Sequence, residues 1–187
     1  MSARSVFTFL LFIFVCIFTD RTHFPLSVIF AVTIHEAGHL LAAKILKVPL
    51  LRVCFTPFGI RIRFRLETVN AIKTFIVYLS GSIVSIIVGS LVLNYASPYN
   101  KATFSFALVS LTLGLLNLMP VIKLDGGCVV ESLLSIKLYP DTAYKITKAI
   151  SDVFVFLFWF VSLYIGLTEG MNYSMLTLAV FLIFSSL

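Results

Sequence analysis

His35, Glu36 and His39 stand in the order H-E-x-x-H within the apolar run Phe24–Leu46. On a helix, residues four apart lie one turn apart on the same face, so both imidazoles can bind one zinc ion. Zinc held this way is a Lewis acid, and the adjacent Glu36 is placed to act as general base on a water molecule. The same spacing turns up by chance in soluble helices. Inside a hydrocarbon span, however, a charged side chain costs about 3 kcal/mol, and ionisable residues there mark function.

Two imidazoles leave such a site one ligand short, because catalytic zinc ordinarily takes three protein ligands and keeps one position open. Asp125 is the candidate for the third, in Asn117-Leu118-Met119-Pro120-Val121-Ile122-Lys123-Leu124-Asp125-Gly126-Gly127. Pro120 is expected to break the helix near its end, and Gly126 and Gly127 to permit a tight turn that aims the carboxylate. The plainer alternative is a helix C-terminus that Asp125 caps.

The elements carrying these residues are membrane spans. Of the 187 residues 60% are hydrophobic and 12% charged, with a mean hydropathy of +1.08, against about 45–50% and about 25% in soluble domains. The expected class is an all-α polytopic membrane protein with about six transmembrane helices, near residues 5–19, 24–46, 71–95, 103–122, 150–167 and 173–187. The run 5–19 follows Arg4 like a signal peptide. It leads into Asp20-Arg21-Thr22-His23 rather than small residues at a cleavage site, so it is read as a retained span. Between residues 48 and 67, apolar residues alternate with Arg52, Arg61, Arg63 and Arg65 around Thr56-Pro57-Phe58-Gly59. That pattern predicts a membrane-associated β-hairpin. Cys128–Tyr139 reads as a short amphipathic helix that Pro140 ends, with Asp141–Lys148 a further polar turn of helix. No linker to a second domain is visible, so 1–187 reads as one membrane domain.

Net charge of +6 raises the possibility of nucleic acid, but the charges fall between the apolar runs, where they set topology. With six spans and the N-terminus inside, twelve of the 14 Lys and Arg residues lie inside and only Arg21 and Lys101 outside. Both termini are therefore expected in the cytosol, with the lipid bilayer rather than nucleic acid as the partner. Cys16, Cys54 and Cys128 lack C-x-x-C spacing and imply neither disulfides nor a cysteine metal site.

Taken together, His35-Glu36-Ala37-Gly38-His39 and Asn117-x-x-Pro120-x-x-x-Leu124-Asp125-Gly126-Gly127 resemble the site-2 protease family of intramembrane zinc metalloproteases. The glycine-containing segment Gly81-Ser82-Ile83-Val84-Ser85 resembles the segment that the family carries in the intervening span. Six spans, with the first motif in the second and the aspartate motif in the fourth, are similar to the SpoIVFB-like (stage IV sporulation protein FB) branch. That resemblance implies one Zn2+ per chain held by His35, His39 and Asp125, with Glu36 catalytic. It also implies a membrane-tethered protein substrate such as a pro-sigma factor, membrane-protein inhibitors, and a bacterial cell membrane. No CBS or PDZ domain is evident, which puts nucleotide regulation through such a module in doubt.

Asn117 is a candidate to hydrogen-bond the substrate backbone or the oxyanion; an interhelical hydrogen bond is an equal alternative. The hairpin offers strand edges that could hold an extended substrate, or it simply packs over the membrane face. Ser80, Ser82 and Ser85 are read as close-packing positions, with no histidine or acid expected beside them. The rival classes are a zinc-binding membrane transporter and a catalytically silent scaffold.

Overall fold

The computed structural model describes residues 24–56, 59–64, 69–95 and 100–168. The expected spans 5–19 and 173–187 lie outside the described residues. The chain separates into two compact units, one up to Asn117 and one from Leu118 onwards.

The first unit is built from α1 (Phe24–Ile45), β1 (Leu50–Thr56), β2 (Gly59–Phe64), α2 (Ala71–Tyr95) and α3 (Lys101–Asn117). α1 and α2, at 22 and 25 residues, are long and apolar enough to cross a membrane. At 1.5 Å per residue they measure about 33 and 37 Å. α1 ends through a left-handed Lys47 at φ 54°, with Val48 N–H closing back onto Ala43 O at 2.8 Å. This is a Schellman-type stop. β1 and β2 pair antiparallel, with Val53 opposite Ile62 and Phe55 opposite Ile60.

The three helices bury small residues and expose large ones. Ala31, Val77, Ser82, Ser85, Ala107 and Ser110 are fully buried, whereas Phe30 is 61% and Ile45 69% exposed. Lipid tails are as apolar as leucine, so helices in a bilayer gain nothing by hiding large apolar side chains. They associate where small residues let backbones approach closely. A Cβ on Gly38 would stand 3.0 Å from the Gly81 Cα, and one on Gly114 would stand 2.9 Å from Ser82 O. Ser27 Oγ donates to Ala102 O at 3.5 Å, joining the early turns of α1 and α3. These two helices run in the same direction, and α2 runs against both.

α3 ends at Asn117, five residues before the expected boundary at 122. Proline disfavours helical backbone in the residue before it and offers no N–H, so the effect of Pro120 reaches upstream through Met119. At 17 residues α3 is a shorter apolar helix, about 25 Å long.

The second unit contains the loop from Leu118 to Leu124, α4 (Asp125–Leu134) and α5 (Pro140–Thr168). Two expectations are corrected here. The amphipathic helix spans Asp125–Leu134 rather than Cys128–Tyr139, and the polar turn 141–148 joins the following span as one helix of 29 residues. Pro140 starts α5 because the first helical position needs no N–H partner and its fixed φ already suits a helix. α5 is the third described helix long and apolar enough to cross a membrane.

The loop is held by specific contacts. Val121, fully buried, packs with Val155 amid Met119, Leu124, Phe154 and Phe158. Ile122 N–H donates to Ser151 Oγ at 3.1 Å, and Leu124 N–H to Val121 O at 2.8 Å. Burial pushes the Glu131 carboxyl on α4 above its usual range.

Two outcomes follow for this unit. The folded state favours protonated Glu131, so its contribution is present below pH ~4.5 and is lost as pH rises through the raised value. Glu131→Gln should therefore raise the thermal midpoint at pH 7 and leave it unchanged near pH 4, as read by thermal unfolding in detergent. Gly127→Ala should lower that midpoint, although alanine ordinarily stabilises a helix by about 1 kcal/mol over glycine. Its methyl would run into the Val121 carbonyl oxygen.

Candidate metal centre

His35 lies eleven residues after Phe24 and ten before Ile45, at the middle of α1. It is 4% exposed and His39 5%. An imidazole this deep needs partners for both ring nitrogens, since no water replaces them. The His39 Nδ1–H donates to the backbone carbonyl of Val77 on α2 at 2.7 Å. A carbonyl only accepts, so this bond places the proton on Nδ1 and leaves a lone pair on Nε2. His35 Nδ1 lies 3.1 Å from Ser85 Oγ. The ligand-competent tautomer of His35 is the one in which Nδ1–H donates to that hydroxyl.

With both Nδ1 atoms turned outward, the two Nε2 atoms face each other at 3.2 Å. Two lone pairs at that distance repel unless a cation or a proton lies between them. Two nitrogens each about 2.0–2.1 Å from a tetrahedral zinc are about 3.3 Å apart. The pair therefore fits a zinc ion in spacing, and His39 fits it in tautomer as well. The rings meet nearly edge to face, with centroids 4.8 Å apart, and Tyr78 stands edge-on to His39 at 6.4 Å.

Gly81 makes room for this arrangement. A Cβ there would occupy the position of the His39 imidazole, at Nε2, Cε1 and Cδ2. Gly38 on the facing helix completes the close crossing, where Ser80 Oγ lies 2.7 Å from Val77 O and 3.1 Å from Gly38 O and has one proton to donate between them. Glu36, between the histidines in sequence, is half-buried.

Asp125 belongs to the second unit. It is the first residue of α4 rather than a cap on the end of the preceding helix, and Leu124 before it is extended at φ −95°, ψ 164°. The first turn of a helix favours a carboxylate, because its unpaired N–H groups and aligned dipoles present positive charge there. Gly126 and Gly127 are helical, not a turn. They are needed because α4 lies directly on the preceding loop: a Cβ at Gly126 would meet the carbonyl oxygens of Leu118 and Met119, and one at Gly127 that of Val121. Pro120 is part of this loop, and Asn117 closes α3 in the first unit.

Two partners escaped the sequence reading. The Val77 carbonyl carries no signal in a sequence. Ser85 did carry one: Gly81 and Ser85 repeat, in reverse along an antiparallel helix, the four-residue spacing of His39 and His35. The expectation that no histidine stands beside these serines is overturned by the contact with His35. Ser85 Oγ meets that ring at Nδ1, on the side away from His39, so it supports the imidazole rather than acting as a nucleophile.

Residues 95–161, a little over a third of the chain, match Peptidase family M50. The matched stretch contains Asn117, Pro120, Asp125, Gly126 and Gly127, while the histidine motif lies outside it. Among solved structures, the site-2 protease from Methanocaldococcus jannaschii is similar over 96% of this chain and 86% of its own, with a TM-score of 0.70 and 22% identity. The chain has a site-2 protease fold. No curated protein sequence matches it. In this fold the histidine motif, outside the matched stretch, is the half that stands on the geometry above.

Gly81→Ala should displace the His39 ring and reduce bound zinc per chain by at least tenfold. Metal analysis of the purified protein, with insertion and helix content checked by circular dichroism, reads this directly.

Proposed function

We propose that this chain is an intramembrane zinc metalloprotease that cleaves a membrane-tethered protein within or near the cytosolic side of the bilayer. The observation that carries the reading is the facing Nε2 pair at 3.2 Å, held by Nδ1 contacts in the middle of an apolar helix. The site-2 protease fold and the M50 match across the Asp125 segment support it. The Asp125 carboxylate, taken as third ligand from its sequence motif, would complete with the two imidazoles a neutral–neutral–anionic set suited to catalytic zinc. When bound there, zinc supplies Lewis-acid polarisation of the scissile carbonyl and of water.

The remaining work falls to the chain's own groups. Glu36 takes a proton from the attacking water and delivers it to the leaving amine, so that water adds across the peptide bond. The Val77 carbonyl keeps His39 from turning its protonated nitrogen inward, and the Ser85 hydroxyl holds the His35 ring by Nδ1. The Ser27–Ala102 contact sets α3 beside α1, which puts Asn117 about one turn beyond the level of His39. From there Asn117 would hydrogen-bond an extended substrate. A pro-sigma factor, implied by the SpoIVFB-like resemblance, is one substrate of this kind.

Glu36→Gln tests the reading. General base catalysis contributes about 10²–10⁴-fold, so cleavage should fall by that factor while one zinc per chain remains bound. Substrates trapped on this variant in native membranes, identified by mass spectrometry, would include single-span or tethered proteins. Full cleavage by Glu36→Gln would overturn the mechanism. Zinc flux that survives the substitution, with no cleavage in the wild type, would make the chain a transporter.

A further inference from the structure

Ser85 and Ser110 are fully buried, and each links two helices at the level of His35. Ser110 Oγ on α3 donates to the Ser85 carbonyl on α2 at 3.0 Å. Ser85 Oγ in turn lies 3.1 Å from His35 Nδ1 on α1. A hydroxyl can donate as well as accept, so Ser85 alone does not fix the tautomer of His35 in the way that Val77 O fixes that of His39. Its place fixes the ring rather than the proton: tied through its backbone to Ser110 on α3, it holds an oxygen at Nδ1 and keeps Nε2 turned towards His39.

We infer that Ser85 is a positioning residue for the metal ligand His35, locked in place by Ser110, so that α3 bears on metal affinity without supplying a ligand from this level of the helix. The inference rests on the metal-site reading above and deepens it. Loss of the Ser85 hydroxyl removes the contact that holds Nδ1 and frees the ring to turn, or lets the proton move onto Nε2, where it points at His39 and opposes metal binding. Partners of this kind are worth about 10–100-fold in metal affinity. The Ser110 contact acts one step further away and should be worth less.

The structure supplies its own control. Ser82, one helical turn from Ser85 and equally buried, has an Oγ with no hydrogen-bond partner among the described residues. Ser82→Ala removes the same atom from the same helix without removing a hydrogen bond among the described residues.

The test is a titration of Co2+, whose visible absorption reports ligand geometry, into metal-stripped full-length protein. Wild type, Ser85→Ala, Ser85→Cys, Ser110→Ala, Ser82→Ala and His35→Ala would be compared. Ser85→Ala should bind cobalt about 10–100-fold more weakly, Ser85→Cys at an intermediate level, Ser110→Ala slightly more weakly than wild type, and Ser82→Ala as wild type does. Cobalt binding by Ser85→Ala equal to that of wild type would overturn the inference, as would an equal loss in Ser82→Ala, which would mark a packing effect. Should Ser85→Ala fail to fold, Ser85→Cys decides: unchanged affinity and spectrum overturn the inference. Failure of the wild type itself to bind cobalt would remove the metal-site reading, and this inference with it. That outcome is distinct from a wild type that binds and a Ser85 variant that binds equally well.

Discussion

A histidine can rest in the middle of an apolar span only if each ring nitrogen has somewhere to send its proton or lone pair. Water is not there to help, and an unpaired polar atom in hydrocarbon costs several kcal/mol. For His39 the answer is the Val77 carbonyl, at 2.7 Å on the neighbouring helix. A backbone carbonyl is normally occupied within its own helix and shielded by side chains. It is reachable here because Gly38 and Gly81 let α1 and α2 come close together. The tautomer of His39, the facing Nε2 atoms and the zinc-like spacing all follow from that approach.

The two units solve the packing problem differently. In the first, helices meet through Gly, Ala and Ser while Leu, Ile and Phe face outward, an inversion of a soluble core. In the second, a short irregular loop is clasped by Val121 and Val155 and by the Ile122–Ser151 hydrogen bond. Irregular backbone carries exposed polar groups, and here the Leu124 and Ile122 amides are given partners. The clasp sets the start of α4 and therefore the place of Asp125.

How much of this could be read from the sequence depended on what set each feature. α1 and α2 were legible almost to the residue, because polar residues bound their apolar runs on both sides. The end of α3 was not, since Pro120 acts on residues before it as well as on its own position. Pro140 was read as an end when it is a start, a distinction that depends on which N–H groups lack partners. The histidine pair announced itself by spacing and by sitting in an apolar span. The role of Gly81 as space for a ring, and of Ser85 as support for one, depends on the register between two helices that no single helix records.

Gly81 also has a genetic consequence. Its function is the absence of one carbon atom, and every other encoded amino acid carries that carbon. Most positions in this unit offer a mutational path through residues of similar size or polarity; Gly81 offers none. Any missense change at its codon reaches His39 in a single step. The only way to vary this position is to move the two helices apart, and moving them apart would also withdraw the Val77 carbonyl from His39. Drift at Gly81 and loss of the histidine pair are thus one event.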